Sequence, residues 1–81
     1  PLKALAPHFI KVDGSVTRRV LASDAATRKL SAIVKVAESL EVGVVAECVE
    51  EQDVLMRLKA LGVGFVQGFG VFRPHPIESV A

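Results

Sequence analysis

Residues 42–49, VGVVAECV, are apolar at nearly every position rather than at every second position. A continuous apolar run predicts a strand that is covered on both faces, as in a parallel sheet flanked by helices. Shorter apolar runs at residues 9–12 and 63–67 predict two further strands. The sequence therefore predicts an α/β fold.

Two segments between these strands have the periodicity of amphipathic helices. The first opens with the polar stretch SDAATRK, where Ser23 or Asp24 can accept hydrogen bonds from the first turn, and ends near residue 40. The second spans residues 51–61 and precedes Gly62, a residue type favoured just after a helix. The inner stripes consist of Leu30, Ile33, Val34, Ala37 and Leu40 in the first helix and of Val54, Leu55, Leu58 and Leu61 in the second.

The predicted order is β-α-β-α-β, and right-handed crossovers make the three strands parallel and adjacent. Pro74 and Pro76 are expected to end regular structure. The 81 residues allow one small domain at most, yet 51% of them are hydrophobic and 23% are charged. Because three parallel strands leave two open edges, we expect the remainder of a barrel or self-association to cover them.

Charge and cysteine content exclude several classes of protein. The net charge of +1 gives no basic surface for a nucleic acid polymer. The single cysteine, Cys48, excludes an internal disulfide and fits a reducing compartment. No apolar run reaches the roughly 18 residues of a membrane span, and the first residues lack the hydrophobic region of a signal peptide. We expect a cytoplasmic protein with no membrane contact from this segment.

Polar side chains lie at the end of each predicted strand, which is where barrels of parallel strands place their functional residues. Lys11 and Asp13 end the first strand, Glu47 lies at the end of the second with Glu50 past the turn, and Gln67 ends the third. A lysine beside a glutamate can hold a water molecule or neutralise charge on a phosphate. The same two residues can also form a purely structural ion pair, and the spacing does not decide between these alternatives.

Other polar residues carry weaker signals. Asp13 can cap the turn that follows it instead of taking part in catalysis, and Glu50 is expected to be a cap or first-turn acid of the second helix. Cys48 is interpreted as a small buried core residue, because no Cys–His arrangement accompanies it. His8 and His75 lack the spacing of metal ligands.

Three motifs resemble the closing third of an EAL domain, the bacterial cyclic di-GMP phosphodiesterase family. They are KVD at 11–13, AECVE at 46–50 and QGFGVFRP at 67–74, and the intervals between them match the family's spacing. By this resemblance residues 1–81 are a partial EAL-like domain, namely strands six to eight of a TIM-like (β/α)8 barrel. The glycine-rich QGFG would follow the last strand, where barrels often bind phosphate, although a tight turn explains it equally well.

The resemblance implies metal-dependent hydrolysis of one phosphodiester bond of cyclic di-GMP, giving linear pGpG in bacterial second-messenger signalling. In the intact family domain, two Mg²⁺ or Mn²⁺ ions activate the attacking water. Lys11 would hold that water, Glu47 would lie beside the second metal as a base or an organiser, and Gln67 would line the site. Asp13 and Glu50 would support the loops.

The sequence departs from the family pattern at several positions. Cys48 replaces the glycine that usually follows Glu47, and this side chain is expected to shift the loop without removing Glu47. Glu41 stands where a glycine usually ends the helix, which predicts backbone strain there. Phe69 replaces a tyrosine, and Val16 replaces a phenylalanine.

The glutamate-alanine-leucine segment that names the family lies outside this sequence, as do the family's other metal-ligating residues. Glu47 remains as a possible direct ligand, whereas a hard divalent cation takes about six oxygen ligands. We therefore expect the 81 residues alone to bind no metal and to be inactive, and an intact barrel to carry the activity. The alternative is a non-catalytic EAL-like module that binds a nucleotide or a partner protein.

Overall fold

The computed structural model describes residues 8–68 and 71–79. Strands and helices alternate along most of this length, and a short 3₁₀ helix follows the last strand at Ile77–Ser79. The elements are β1 (Phe9–Val12), α1 (Gly14–Arg19), α2 (Asp24–Leu40), β2 (Gly43–Val49), α3 (Gln52–Ala60), β3 (Phe65–Gly68) and β4 (Val71–Pro76).

The strands form one sheet in the order β1-β2-β3-β4. The pairs β1–β2 and β2–β3 are parallel, as the sequence predicts, whereas β3 and β4 are antiparallel. The strand β4 was not predicted, because Pro74 and Pro76 were expected to end regular structure. It lies at the edge of the sheet, where a residue without a backbone N–H can face the unpaired side.

The helix α2 has a side-chain cap at its N-terminus and a left-handed residue at its C-terminus. Of the two predicted caps, Ser23 is the one observed: its Oγ accepts a hydrogen bond from the Ala26 N–H at 3.1 Å. The helix ends at Glu41, which has a left-handed backbone with φ of 58°. A non-glycine residue in that region costs roughly 1–2 kcal/mol. The predicted strain at Glu41 is therefore confirmed.

The helix α1 was missed by the sequence analysis. It has six residues, less than two turns at about 3.6 residues per turn, which is too short for an apolar periodicity to be recognised. It follows β1 directly and lies before the polar stretch that opens α2. The polar residues after the first strand are therefore ordered by a helix of their own.

The main core lies between one face of the sheet and the helices α2 and α3. Apart from Val49, its strand residues occupy alternate positions, so that the same face of each parallel strand is covered. This cluster includes Val12, Val44, Ala46 and Val66 from the sheet, Leu30, Val34 and Ala37 from α2, and Val54, Leu55 and Leu58 from α3. Within the described part of the chain, no helix has the length and hydrophobicity needed to cross a membrane.

Two neighbouring residues of α3 test this assignment of the core. Leu55 is fully buried, whereas Met56 is 51% exposed. In the protein that contains this chain, Leu55→Ala should lower the free energy of unfolding by about 2–5 kcal/mol, because it leaves a cavity. Met56→Ala should change it by less than about 0.5 kcal/mol. Equal losses in chemical denaturation would contradict the described packing.

Candidate functional site

The strand register brings the predicted site residues of three strands to one face of the sheet. Lys11 pairs with Val45, which pairs with Phe65. Because side chains alternate along a strand, these three residues share a face, and Glu47 and Gln67 lie two positions further along on the same face. Lys11, Glu47 and Gln67 therefore come from three adjacent parallel strands, at or near their C-terminal ends.

This face lies opposite to the helices. Val12, Ala46 and Val66, which immediately follow or precede the site residues, belong to the core under α2 and α3. Lys11 is exposed and Glu47 is half-buried. Among the described residues, an ion pair of 3.1 Å joins Lys59 to Glu78, and none joins Lys11 to Glu47.

The N-terminal part of the same face is apolar. The rings of Phe9 and Phe65 meet edge to face over the middle strand, with centroids 4.9 Å apart. An ideal Cβ on Gly43 would lie 2.8 Å from the Phe9 ring, so the glycine makes room for this pair. The sequence analysis did not predict the contact, although a glycine inside a strand often marks such a close approach.

A β-bulge is formed by Glu47 and Cys48, which together lie opposite Gln67 of β3. Ala46 pairs with Val66 and Val49 pairs with Gly68, so β2 has one residue more than β3 between these pairs. Cys48 has a left-handed φ of 61° and is exposed. The interpretation of Cys48 as a small buried core residue was wrong, because the bulge removes this residue from the alternation of the strand.

Asp13 is the N-cap of α1. Its Oδ2 accepts a hydrogen bond from the Ser15 N–H at 2.9 Å, which is the capping alternative that the sequence offered. Hydrogen bonding to Ser15 lowers the pKa of the Asp13 carboxyl, and the charge of Arg18 has a smaller effect in the same direction. Asp13 therefore holds the turn that follows β1.

Glu50 does not take the position at α3 that the sequence analysis gave it. The N-cap of α3 is Glu51, and the acidic residue of the first turn is Asp53. The prediction for Glu50 was wrong because the helix begins later than its acidic residues suggested. Glu50 instead lines a cavity of about 240 Å³, together with Arg18, Cys48, Glu51 and Val54.

The described residues do not form a divalent-metal site by themselves. No group of three or more His, Cys, Asp or Glu side chains among them is placed to hold a metal ion. Glu47 would supply one carboxylate, which is far from the six or so oxygen ligands of a hard cation. In the QGFG motif, Phe69 and Gly70 lie outside the described residues.

Comparison with known proteins decides the family. Residues 1–74 match the family described as the EAL domain. The chain belongs to this family. The left-handed residues Glu41 and Cys48 therefore lie within an EAL domain.

Relatives with named functions cover nearly the whole EAL chain. It is 28% identical over 96% of its length to the cyclic di-GMP phosphodiesterase PdeB of Shewanella oneidensis. It is 33% identical over 94% of its length to the probable cyclic di-GMP phosphodiesterase PdeA of Escherichia coli. The chain spans only 9% and 10% of these two relatives.

Solved structures support the same assignment. The chain matches Klebsiella pneumoniae BlrP1 in its manganese and cyclic di-GMP complex with a TM-score of 0.74 and 32% identity, over 94% of this chain and 19% of that one. It matches the PaMucR phosphodiesterase in its cyclic di-GMP complex with a TM-score of 0.72 and 31% identity. That match covers 99% of this chain and 32% of the other.

The cap at Asp13 makes a prediction about acid stability. Because the pKa of Asp13 is lowered from 3.8 in the folded chain, its ionised carboxylate stabilises the fold above that pH. This contribution is lost as the pH falls through the lowered pKa. Asp13→Asn retains a capping side chain without the charge. The melting temperature of the unaltered protein should exceed that of Asp13→Asn at neutral pH, and the difference should vanish toward pH 2. A constant difference would contradict this account.

Proposed function

We propose that this chain is the C-terminal third of the barrel of an EAL cyclic di-GMP phosphodiesterase. In this proposal β1, β2 and β3 are strands six to eight of a TIM-like (β/α)8 barrel, and residues 1–81 are a partial domain. The observation that carries the proposal is the placement of Lys11, Glu47 and Gln67 on the helix-free face of three adjacent parallel strands. In such a barrel the helices form the outer ring, and the active site lies at the C-terminal ends of the strands.

The outer surface beside β1 is consistent with a missing neighbour. The strand β1 is an edge of the described sheet, and its other side has no strand paired with it there. A shallow groove of about 230 Å³ lies next to it and is lined by Ile10, Ala32, Ile33 and Val36. Val36 is 54% exposed. The preceding strand and helix of a complete barrel would cover this apolar surface.

The chemistry of the three side chains suits hydrolysis of a phosphodiester. The ammonium of Lys11 would hold a water molecule and stabilise negative charge that develops on the phosphate oxygens. The carboxylate of Glu47 would orient that water or accept its proton. Gln67 would contribute an amide to the same surface.

The divalent metal of such an enzyme needs ligands from beyond this segment. Structures of the relative BlrP1 contain cyclic di-GMP with manganese or with calcium. Because the described residues offer Glu47 without a ligand cluster around it, we propose that the rest of the barrel supplies the other ligands for Mg²⁺ or Mn²⁺. The 81 residues alone would then be inactive.

A binding module without turnover is the second candidate function. It is favoured by Cys48, which carries a side chain in a left-handed bulge beside Glu47. A displaced Glu47 would leave cyclic di-GMP binding intact while removing hydrolysis. Measuring binding and hydrolysis on the same protein separates the two functions.

Lys11→Ala in the intact protein tests the proposed function. Hydrolysis of cyclic di-GMP with Mn²⁺ should fall at least tenfold, because the group that holds the water is lost, while the melting temperature stays within a few degrees. Lys35→Ala is the matched control, since Lys35 is an exposed lysine on α2. That control should retain the rate of the unaltered protein.

Two results would contradict the assignment. Near-normal hydrolysis by Lys11→Ala would exclude Lys11 from the reaction. Binding of cyclic di-GMP by the unaltered intact protein, without any hydrolysis in Mg²⁺ or Mn²⁺, would favour the binding module instead.

A further inference from the structure

Gly14 and Cys48 meet where the ends of β1 and β2 approach each other. Gly14 is buried at the first position of α1, three residues after Lys11. An ideal Cβ on Gly14 would lie 2.7 Å from Sγ of Cys48 and 2.9 Å from its Cβ. The side chain of Cys48 therefore occupies the space that any other residue at position 14 would need.

Rotation of the thiol cannot relieve this crowding. Sγ can move by rotation about the Cα–Cβ bond, but the Cβ of Cys48 is fixed by the backbone. The third close atom, Nη1 of Arg18 at 3.0 Å, belongs to a flexible side chain that can withdraw. A substitution at Gly14 would therefore push against the backbone of the bulge itself.

The bulge carries the half-buried Glu47 directly before Cys48. A shift of Cys48 away from β1 would move its neighbour Glu47 relative to Lys11. The left-handed φ of 61° at Cys48 is a conformation for which glycine is best suited. In this chain the side chain is at position 48 and the glycine is at position 14.

We infer that Gly14 is a positioning residue, which leaves space for Cys48 and so allows Glu47 to keep its place on the face of the sheet that carries Lys11. This inference rests on the proposed function and deepens it. It means that Cys48 does not by itself make the site inactive, because the absence of a side chain at Gly14 leaves room for it.

A cycle of variants in the intact protein tests this compensation, with cyclic di-GMP and Mn²⁺ as the assay. Gly14→Ala should lower kcat at least fivefold with KM changed less than twofold, because small displacements of reacting groups are costly. Cys48→Gly should keep kcat within twofold. Adding Cys48→Gly to Gly14→Ala should restore kcat to within twofold of the unaltered protein.

Gly64→Ala is the matched control, because no atom lies within 4 Å of a Cβ placed there. It should change neither kcat nor the melting temperature. All assays are made well below the melting temperatures, so that a purely structural effect of Gly14→Ala lowers stability without lowering kcat. If Gly14→Ala does not fold, the double variant decides: a folded and active double variant supports the inference.

Several outcomes would overturn the inference. The first is an unchanged kcat in Gly14→Ala. The second is a double variant, Gly14→Ala with Cys48→Gly, whose kcat is as low as that of Gly14→Ala alone. The third is a double variant with no activity. If these occur while Lys11→Ala is impaired, the proposed function stands and the inference alone fails. If the unaltered protein does not hydrolyse cyclic di-GMP, the proposed function fails and the inference falls with it.

Discussion

Burial of β2 on both faces is the constraint on which the rest of the structure depends. Val44 and Ala46 are buried toward the helices, and Val45 is fully buried on the opposite face. Such a strand needs a neighbour on each side and cover on both faces, which α2 and α3 provide on one face and the Phe9–Phe65 pair on the other. The apolar residues thereby fix the register, and the register places Lys11 and Glu47 on the same surface.

Much of this arrangement could be predicted from the sequence because its clearest hydrophobic patterns extend over many residues. The run in β2 and the stripe in α2 extend over enough residues for their periods to be recognised. The strand β4 was missed because an edge strand tolerates Pro74 and Pro76, and edge position is a property of the whole sheet. The exposure of Cys48 was missed because a bulge interrupts the alternation without a local signal in the sequence.

Two residues other than glycine, Glu41 and Cys48, have a left-handed backbone in this EAL chain. Each costs roughly 1–2 kcal/mol, and both are held by their surroundings. At the bulge the backbone has a further demand, since a Cβ on Gly68 would overlap the backbone of Val49. The close approach of β2 and β3 at this point therefore needs a glycine at position 68. On β2 the bulge at Cys48 directly precedes Val49, the residue that pairs with Gly68.

The proposed function requires that the helix-free face of the three parallel strands contact the substrate phosphate. The most direct measurement is a crystal structure of the intact protein with cyclic di-GMP and Ca²⁺, an ion that accompanies the nucleotide in one BlrP1 structure. The account predicts a phosphate oxygen at about 3 Å from Nζ of Lys11, the distance of a charge-assisted hydrogen bond. A nucleotide bound elsewhere on the protein, with Lys11 not contacting its phosphates, would contradict it.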